Sequence, residues 1–227
     1  MKAVVLAGGN GTRMLEHSLN NPKPLINVNN KPFLYYVLKT LEKAGITQTG
    51  IVYSKHKQKF QDFLDKYDLK ANLLLQKKPL GTGDALKSAK EFTGEDEFIM
   101  LPGDCLFSVN DIKKLFVKGN ALLGCYREDT HKFGVIKTNN GSLNEIIEKP
   151  KHYGPGLVNT SIYKLNKKIY DFLENLEKSE RGEYELTDAV TKLAEEQEIK
   201  VIKLDDYWID FGTPIDIKVV EEFLSEK

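Results

Sequence analysis

A glycine-rich segment near the start of the chain could bind phosphate groups. Residues 8–13, with the sequence Gly-Gly-Asn-Gly-Thr-Arg, directly follow a short apolar run. Glycines let backbone N–H groups approach a triphosphate closely, and Arg13 adds a planar cation with several donors. Met14 replaces the third glycine of a dinucleotide-binding loop, and a Walker Gly-Lys-Ser/Thr is absent. The segment therefore indicates a phosphate loop of another kind, or a simple tight turn after a strand.

A lysine close to this segment is held between two prolines. Pro22 and Pro24 flank Lys23, which stands ten residues beyond Arg13. Both prolines restrict the backbone around the lysine. A lysine fixed in this way is a poor choice for a merely solvated position, so we expect Lys23 to act at the same site.

Asp104 is a candidate metal ligand. It follows an apolar run at residues 97–101 and the pair Pro102-Gly103. In open α/β sheets, ligands gather at the carboxyl ends of strands. Mg²⁺ binds through few carboxylates together with substrate phosphates. The alternative is an ordinary turn aspartate, because aspartate is common in turns.

The composition argues against several classes of protein. Lys plus Arg and Asp plus Glu number 33 each, and zero net charge argues against general affinity for nucleic acid or an anionic membrane. No apolar run approaches the roughly 20 residues of a transmembrane helix. Cys105 and Cys125 form no C-x-x-C pair, so a disulfide framework or zinc cluster is not indicated. We expect a cytoplasmic protein with no nucleic-acid partner and no membrane partner.

The elements that must position these residues alternate along the first half of the chain. Short apolar runs predict buried strands at residues 2–7, 50–53, 72–75 and 97–101. Amphipathic spacing predicts helices at residues 32–44, 55–67 and 82–92. This order predicts an α/β fold, with a Rossmann-like mixed, mostly parallel sheet flanked by helices on both faces.

The second half predicts further strands in hairpins. Strands are expected at residues 122–126, 134–137, 143–148, 157–165 and 200–204. A hairpin turn is expected at Asn139-Asn140-Gly141. Helices are expected at residues 167–176, 186–196 and 214–224. No linker interrupts the pattern, so residues 1–227 are predicted to form a single domain.

The order and spacing of these motifs resemble the sugar-phosphate nucleotidylyltransferase family, which includes the glucose-1-phosphate thymidylyl- and uridylyltransferases. The resemblance rests on Gly-x-Gly-Thr-Arg at residues 9–13, Pro22-Lys23, and Trp208-Ile209-Asp210 followed by Phe-Gly-Thr-Pro. It covers nearly the whole chain and implies the nucleotide-diphospho-sugar transferase fold. It also implies that residues 1–110 mainly bind the nucleotide and residues 111–227 mainly bind the sugar.

The resemblance implies roles for individual residues. Arg13, Lys23 and Asp104 would be catalytic, and Asp210 would share Mg²⁺ with Asp104. Gln76 would read the base, since its amide both donates and accepts. The residues implied to bind the nucleotide are Leu6, Ala7, Gly8, Gly9, Gly11, Thr12, Gln76, Gly81 and Thr82.

The resemblance also implies a sugar-phosphate pocket. Gly134, Glu148, Lys149 and Asn159 match the family's pocket motifs, and Ser161 stands where the family often has glycine. Residues 182–189 also resemble a family segment. We interpret that segment as mainly structural, with Thr187 or Asp188 capping a helix.

The implied reaction moves a nucleotidyl group from a nucleoside triphosphate, with UTP or dTTP preferred, to a sugar 1-phosphate, with glucose 1-phosphate preferred. Alternatives are cytidylyl or guanylyl transfer to mannose- or heptose-1-phosphate or phosphocholine, and a non-catalytic nucleotide-sugar-binding regulator. A glycosyltransferase is disfavoured because Cys105 and Leu106 follow Asp104 in place of an Asp-x-Asp motif. Family members often assemble, so a homo-oligomer stays open.

Overall fold

A nine-stranded mixed sheet forms the centre of the molecule, in a computed structural model that describes residues 1–9, 14, 21–150 and 154–226. Two further sheets have two strands each. In chain order the strands are β1 Lys2–Leu6, β2 Asn27–Val28, β3 Lys31–Pro32, β4 Gln48–Tyr53, β5 Asn72–Leu75, β6 Phe98–Pro102, β7 Cys105–Phe107, β8 Asn120–Arg127, β9 Gly134–Asn139, β10 Ser142–Glu148, β11 Gly156–Leu165, β12 Ile199–Lys203 and β13 Trp208–Asp210.

Helices flank the central sheet. A 3-10 helix spans Lys23–Leu25. The α-helices are α1 Phe33–Ala44, α2 Lys57–Lys66, α3 Thr82–Lys87, α4 Lys90–Thr93, α5 Val109–Lys114, α6 Ile169–Glu174, α7 Leu186–Glu196 and α8 Ile215–Ser225. None of the helices found in the described ranges combines the length and apolar character that crossing a membrane requires.

The central sheet joins the two halves of the chain. Its strand order is β5-β4-β1-β6-β11-β8-β12-β10-β9. The β5-β4-β1-β6 part is parallel, and so is the β8–β12 pair. β11 runs antiparallel to β6 and β8, and β10 runs antiparallel to β12 and β9. The predicted α/β class, with a mixed sheet, is confirmed, but the sheet is not mostly parallel, since four of its pairings among the described residues are parallel and five are antiparallel.

Alternation along β1 divides the core into two layers. Ala3 and Val5 belong to one buried cluster with Leu34 of α1, whereas Val4 belongs to a second cluster with Leu86 of α3. Successive side chains of a strand point to opposite faces, so each face needs its own helical layer. These side chains are fully buried, and burial of a valine or leucine side chain contributes roughly 1.5–3 kcal/mol. Helices therefore cover both faces, as predicted.

The predicted hairpin turn is confirmed. Asn139 pairs with Ser142, and the two residues between them, Asn140 and Gly141, have φ values of 49° and 83°. Both values lie in the left-handed region, which a two-residue type I′ turn requires and which Asn and Gly tolerate.

The prediction of one continuous helix at residues 82–92 is wrong. α3 ends at Lys87 and α4 begins at Lys90. The amides of Ser88 and Ala89 donate to carbonyls three residues earlier, at 3.1 and 2.9 Å, so the chain tightens to a 3-10 turn there. The sequence interpretation also missed β7 and α5, whose three and six residues are too short to show a clear period.

Candidate active site

A cavity of about 540 Å³ opens at the carboxyl ends of the parallel strands and extends to the β9–β11 region. Every described residue predicted for the nucleotide, the metal or the sugar phosphate lines this one cavity. These residues are Leu6, Ala7, Gly8, Gly9, Lys23, Gln76, Gly81, Thr82, Asp104, Gly134, Glu148, Lys149, Asn159 and Asp210. Gly11, Thr12 and Arg13 lie outside the described residues, so their roles stay predictions.

The segment after β1 enters the cavity through glycines. Gly8 is held where its carbonyl accepts a 2.6 Å hydrogen bond from the Ser54 hydroxyl. A Cβ atom added at Gly8 would lie 2.8 Å from Gln76 Oε1 and 3.3 Å from the Ser54 amide nitrogen. Glycine is therefore needed at this position for close backbone approach.

Gln76 follows β5 and is almost completely buried, with 2% of its surface exposed. Its amide nitrogen donates to Asp84 Oδ2 at 2.8 Å and to the Gly81 carbonyl at 3.3 Å. A side chain so held has one orientation rather than several.

Gly81 and Thr82 contact residues 184–186 of the same chain, in addition to lining the cavity. Gly81 has a φ of 118°, and a Cβ atom there would lie 2.6 Å from the Tyr184 carbonyl oxygen. The Thr82 hydroxyl accepts a 3.0 Å hydrogen bond from the Leu186 amide. Gly81 is the N-cap of α3, without a side-chain hydrogen bond, and Thr82 is the first residue of the helix.

Lys23 and Asp104 form an ion pair in the cavity wall. Lys23 Nζ lies 2.7 Å from Asp104 Oδ2, and only 10% of the lysine side chain is exposed. The lysine begins the 3-10 helix, where Leu25 N–H donates to the Pro22 carbonyl at 2.8 Å. The expectation that the two prolines fix this lysine agrees with its burial.

Asp104 and Asp210 are brought together by a small two-stranded sheet. β7 and β13 are antiparallel, with Asp210 opposite Cys105, and Phe211 N–H donates to the Asp104 carbonyl at 2.8 Å. Burial raises the pKa of the Cys105 thiol well above its usual range, and the charges of Asp104 and Asp210 raise it further. Both carboxylates are therefore close to the same thiol.

This donor set fits Mg²⁺. Within the ranges that the structure describes, no group of three or more His, Cys, Asp or Glu side chains could hold a metal ion by itself. Two carboxylates on a cavity wall suit a hard cation that takes its remaining ligands from water and phosphate oxygens. Asp104 and Asp210 could hold such an ion.

Glu148 and Gly134 face each other at the other end of the cavity. They are cross-strand partners in the β9–β10 hairpin, and a Cβ atom at Gly134 would lie 3.0 Å from Glu148 Oε1. The cavity walls desolvate Glu148 and raise the pKa of its carboxyl, and Glu185 acts in the same direction. Arg181, the Thr187 hydroxyl and Lys149 lower this pKa but do not outweigh the walls. The Glu148 side chain stays open to solvent and can accept hydrogen bonds from a bound molecule.

A bulge in β11 presents Asn159 to the cavity. The register with β8 shifts between Asn159 and Tyr163, and Ser161 adopts a left-handed φ of 59°. Asn159 Oδ1 accepts from the Ser161 amide at 2.9 Å, and Asn159 Nδ2 donates to the Tyr163 hydroxyl at 2.6 Å. Bulges commonly re-aim side chains beside active sites.

Comparison with known proteins identifies the family. The sequence profile described as nucleotidyl transferase matches residues 2–227. The chain belongs to the nucleotidyl transferase family. It is 36% identical to a bifunctional protein GlmU of Methanococcus maripaludis, over 96% of this chain and 53% of that protein. It is 37% identical to a bifunctional sugar-1-phosphate nucleotidylyltransferase/acetyltransferase of Sulfurisphaera tokodaii, over 96% of this chain and 54% of that protein.

A solved structure of similar fold comes from Bacillus anthracis and is provisionally assigned as a glucose-1-phosphate thymidylyltransferase. It is 26% identical to this member of the nucleotidyl transferase family, with a TM-score of 0.87, and the match covers 100% of this chain and 96% of that one. The family resemblance and the predicted nucleotide-diphospho-sugar transferase fold are thereby confirmed. The chain spans about half the length of the curated relatives.

Several cavity residues of this nucleotidyl transferase were missed by sequence reasoning. Lys132 and Tyr163 lie within four residues of the recognised Gly134 and Asn159, and that adjacency was the available signal; Trp208 begins the recognised segment of residues 208–214 but was given no role in the cavity. The interpretation of residues 182–189 as mainly structural is wrong in part, because Glu183, Glu185, Leu186 and Thr187 line the cavity. The N-cap of α7 is Glu185, not Thr187 or Asp188.

Proposed function

We propose that this chain transfers a nucleotidyl group from a nucleoside triphosphate to a sugar 1-phosphate, forming a nucleoside diphosphate sugar and releasing pyrophosphate. UTP or dTTP is the proposed donor and glucose 1-phosphate the proposed acceptor. One observation carries the proposal: the described residues predicted to bind the nucleotide and those predicted to bind the sugar phosphate line the same cavity. The similarity to relatives named sugar-1-phosphate nucleotidylyltransferases supports the same reaction.

The residues of the cavity suit a displacement at the α-phosphorus without a general base. The attacking phosphate oxygen of the sugar is already largely ionised at pH 7, because its second pKa is about 6. Catalysis then rests on positioning and on neutralising charge. Lys149 is proposed to hold the attacking phosphate and Lys23 the α-phosphate. Arg13 is proposed to act on the departing pyrophosphate.

The chemistry that Mg²⁺ supplies when bound is charge neutralisation on the phosphates, and Asp104 and Asp210 are the residues proposed to hold it. Glu148 and Asn159 are proposed to accept from and donate to the sugar hydroxyls. Gly134 leaves room for the sugar beside Glu148, since any side chain there would press on the carboxylate.

A pyrophosphate-release assay with Mg²⁺ tests the proposed function. It crosses UTP, dTTP, CTP, GTP and ATP with the 1-phosphates of glucose, N-acetylglucosamine and mannose. We expect a strong signal for UTP or dTTP with glucose 1-phosphate. A signal only with CTP or GTP would replace the proposed donor. Silence across the grid from folded protein that still binds a nucleotide sugar would support a regulator instead.

Replacement of Asp104 is expected to reduce turnover by about 10²-fold or more, because a charge that stabilises the transition state is lost. Asp104→Ala leaves Lys23 buried without its partner, which can itself destabilise the protein. Asp104→Asn keeps an oxygen acceptor for Lys23 and is the cleaner variant. The readout is pyrophosphate release at saturating Mg²⁺.

The matched control is Asp62→Ala, which removes an exposed carboxylate of α2 that does not line the cavity. It is expected to keep full turnover. Turnover of Asp104→Asn equal to that of the control would contradict the proposed role of Asp104.

A further inference from the structure

The hydrogen bonds of Gln76 fix which end of its amide faces the cavity. The side-chain nitrogen has two N–H groups, and both nearby partners, Asp84 Oδ2 and the Gly81 carbonyl, are acceptors only. Rotating the amide by 180° would place its carbonyl oxygen against a carboxylate and a carbonyl. In a residue with 2% exposure, water cannot relieve that repulsion, so one orientation is strongly preferred.

The remaining polar atom, Gln76 Oε1, lies on the side of the glycine segment. It lies 2.8 Å from the place where a Cβ atom of Gly8 would be, and Gly8 and Gln76 line the same cavity. The cavity therefore meets an acceptor at this point and not an N–H donor. A free glutamine could offer either end of its amide, and here the shorter, charge-assisted bond to Asp84 at 2.8 Å contributes more to the choice than the 3.3 Å bond to the Gly81 carbonyl.

We propose that Asp84 is a positioning residue for nucleobase selection. By holding the Gln76 nitrogen, Asp84 turns the Gln76 carbonyl oxygen toward the base and selects a base with a ring N–H, namely uracil or thymine, over cytosine. This inference rests on the proposed function, in which the base of the nucleoside triphosphate lies beside Gln76.

Uracil and thymine differ from cytosine in the group at N3, and this difference decides which base is preferred. N3 of uracil and thymine carries a hydrogen, which can donate to Gln76 Oε1. N3 of cytosine carries a lone pair, which would face the lone pairs of the same oxygen. The bases are nearly equal in size, so shape alone does little to separate them. A buried acceptor facing an acceptor typically reduces affinity by about tenfold or more.

The test measures nucleotide affinity without turnover. Wild-type protein with Mg²⁺ and no sugar phosphate is titrated calorimetrically with two matched pairs, UTP against CTP and dTTP against 5-methyl-dCTP. The result is taken from the pair that binds more tightly. In that pair we expect the uracil or thymine nucleotide to bind at least tenfold more tightly than the cytosine nucleotide. Asp84→Ala is expected to reduce that ratio at least fivefold, because only the 3.3 Å bond to the Gly81 carbonyl then opposes turning of the Gln76 amide.

Two further variants separate orientation from a general loss of structure. In Gln76→Glu combined with Asp84→Asn, the donor and acceptor of this side-chain pair are exchanged, the total charge is unchanged and an oxygen still faces the base, but the bond to the Gly81 carbonyl is lost. The double variant is therefore expected to have a higher ratio than Asp84→Ala without reaching that of wild type. Ser88→Ala removes only a 3.4 Å hydrogen bond to the backbone carbonyl of Asp84 and is expected to leave the ratio unchanged.

The outcomes distinguish this inference from the proposed function. Equal binding of the two members of each pair by wild type, or an unchanged ratio in Asp84→Ala that melts like wild type, would overturn it. Uniform weakening of all four nucleotides in Asp84→Ala would also overturn it, since it would indicate a structural role alone. Failure of sugar transfer would contradict the proposed function without altering the nucleotide ratios.

Discussion

Ser161 has a left-handed backbone, with a φ of 59°, in the middle of the β11 bulge. Left-handed φ raises the energy of a residue with a Cβ atom by roughly 1–2 kcal/mol, and glycine adopts it freely. Burial raises the pKa of the nearby Tyr163 hydroxyl, and the Asn159 and Ser161 side chains lower it in part. A strained residue beside a cavity is a candidate for function.

Replacing Ser161 with glycine is therefore expected to maintain the free energy of unfolding or increase it by up to about 1 kcal/mol, because strain is relieved while the unfolded chain gains freedom. The same change is expected to raise the KM for sugar 1-phosphate severalfold. Denaturant titration and steady-state kinetics measure the two effects. Asn140→Gly, at a φ of 49° in the hairpin turn, is the control and is expected to leave KM unchanged. A large loss of stability in Ser161→Gly, or an unaltered KM, would contradict this interpretation.

Glu148→Gln is expected to weaken sugar-phosphate binding while slightly stabilising the fold. Desolvation raises the pKa of the Glu148 carboxyl in the folded protein, so ionisation is less favourable there than in the unfolded chain. The resulting destabilisation is absent below the unfolded pKa of roughly 4 and appears as pH rises through the folded pKa. The variant should gain about 0.5 kcal/mol or less at neutral pH, and the gain should vanish in acid. Denaturation at several pH values measures it, and a gain that grows toward low pH would contradict the sign.

At this scale the sequence indicates residue types but not their orientations. Lys23 could be recognised because its proline neighbours restrict the backbone locally. Gly81 could be recognised because glycine permits backbone conformations that other residues avoid. The orientation of Gln76 depends on Asp84 across a helix entry, and that of Asn159 depends on a bulge. Tyr163 reads as an ordinary apolar strand residue. Hydrogen bonds formed only after folding decide these details, so residue spacing cannot predict them.

At the scale of elements, Asp111 connects the segment that follows β7 with the segment that precedes β13. These two strands form the small sheet that carries Asp210. Asp111, in α5, is fully buried and accepts from Ser108 Oγ at 2.8 Å and from the amides of Asp205 and Asp206 at 3.0 and 3.2 Å. Burial alone would raise the pKa of Asp111, but these hydrogen bonds and Lys114 outweigh burial and lower it. The sequence interpretation missed both β7 and α5, so this connection was invisible to it.

Asp111→Asn is expected to lower the free energy of unfolding by about 2–4 kcal/mol at neutral pH, because an NH₂ group would face buried donors. A lowered folded pKa gives stability that is present above the unfolded pKa of roughly 4 and is lost as pH falls through the folded pKa. The difference from wild type should therefore shrink in acid, as it does for Glu148→Gln, but at neutral pH it is a loss of stability and not a gain. Denaturation curves measure it. Asp205→Asn, whose side chain is 79% exposed, is the control and should change stability by about 0.5 kcal/mol or less.

At the scale of the whole molecule, β11 joins the two halves of the sheet. It pairs with β6 on one side and with β8 and β9 on the other. The single-domain prediction for residues 1–227 therefore has a direct test in cooperativity, because a continuous sheet should unfold as one unit. The alternation of strands and helices was enough to predict the class of the fold. It could not predict the strand order, in which β11 separates β6 from β8, since that order depends on long-range pairing.

Ile162→Ala in β11 is expected to lower the free energy of unfolding by about 2–4 kcal/mol, because its side chain is fully buried and its loss leaves a cavity. Scanning calorimetry should show one transition in wild type and variant, with equal calorimetric and van't Hoff enthalpies. The control is Val219→Ala, whose side chain is 46% exposed and should matter little. Two resolved transitions, only one of them shifted by Ile162→Ala, would contradict a single cooperative domain.

The position of the chain's one tryptophan gives the protein an optical signal of its own. Trp208 lies in the cavity wall, two residues before Asp210, with the Arg127 guanidinium 5.4 Å from its ring centroid and the Phe133 ring 5.7 Å away. Indole emission responds to the polarity and charge of its surroundings, so a phosphate or sugar entering the cavity would change its intensity or wavelength. With no second indole to add background, that emission can follow occupancy of the cavity in real time without any label.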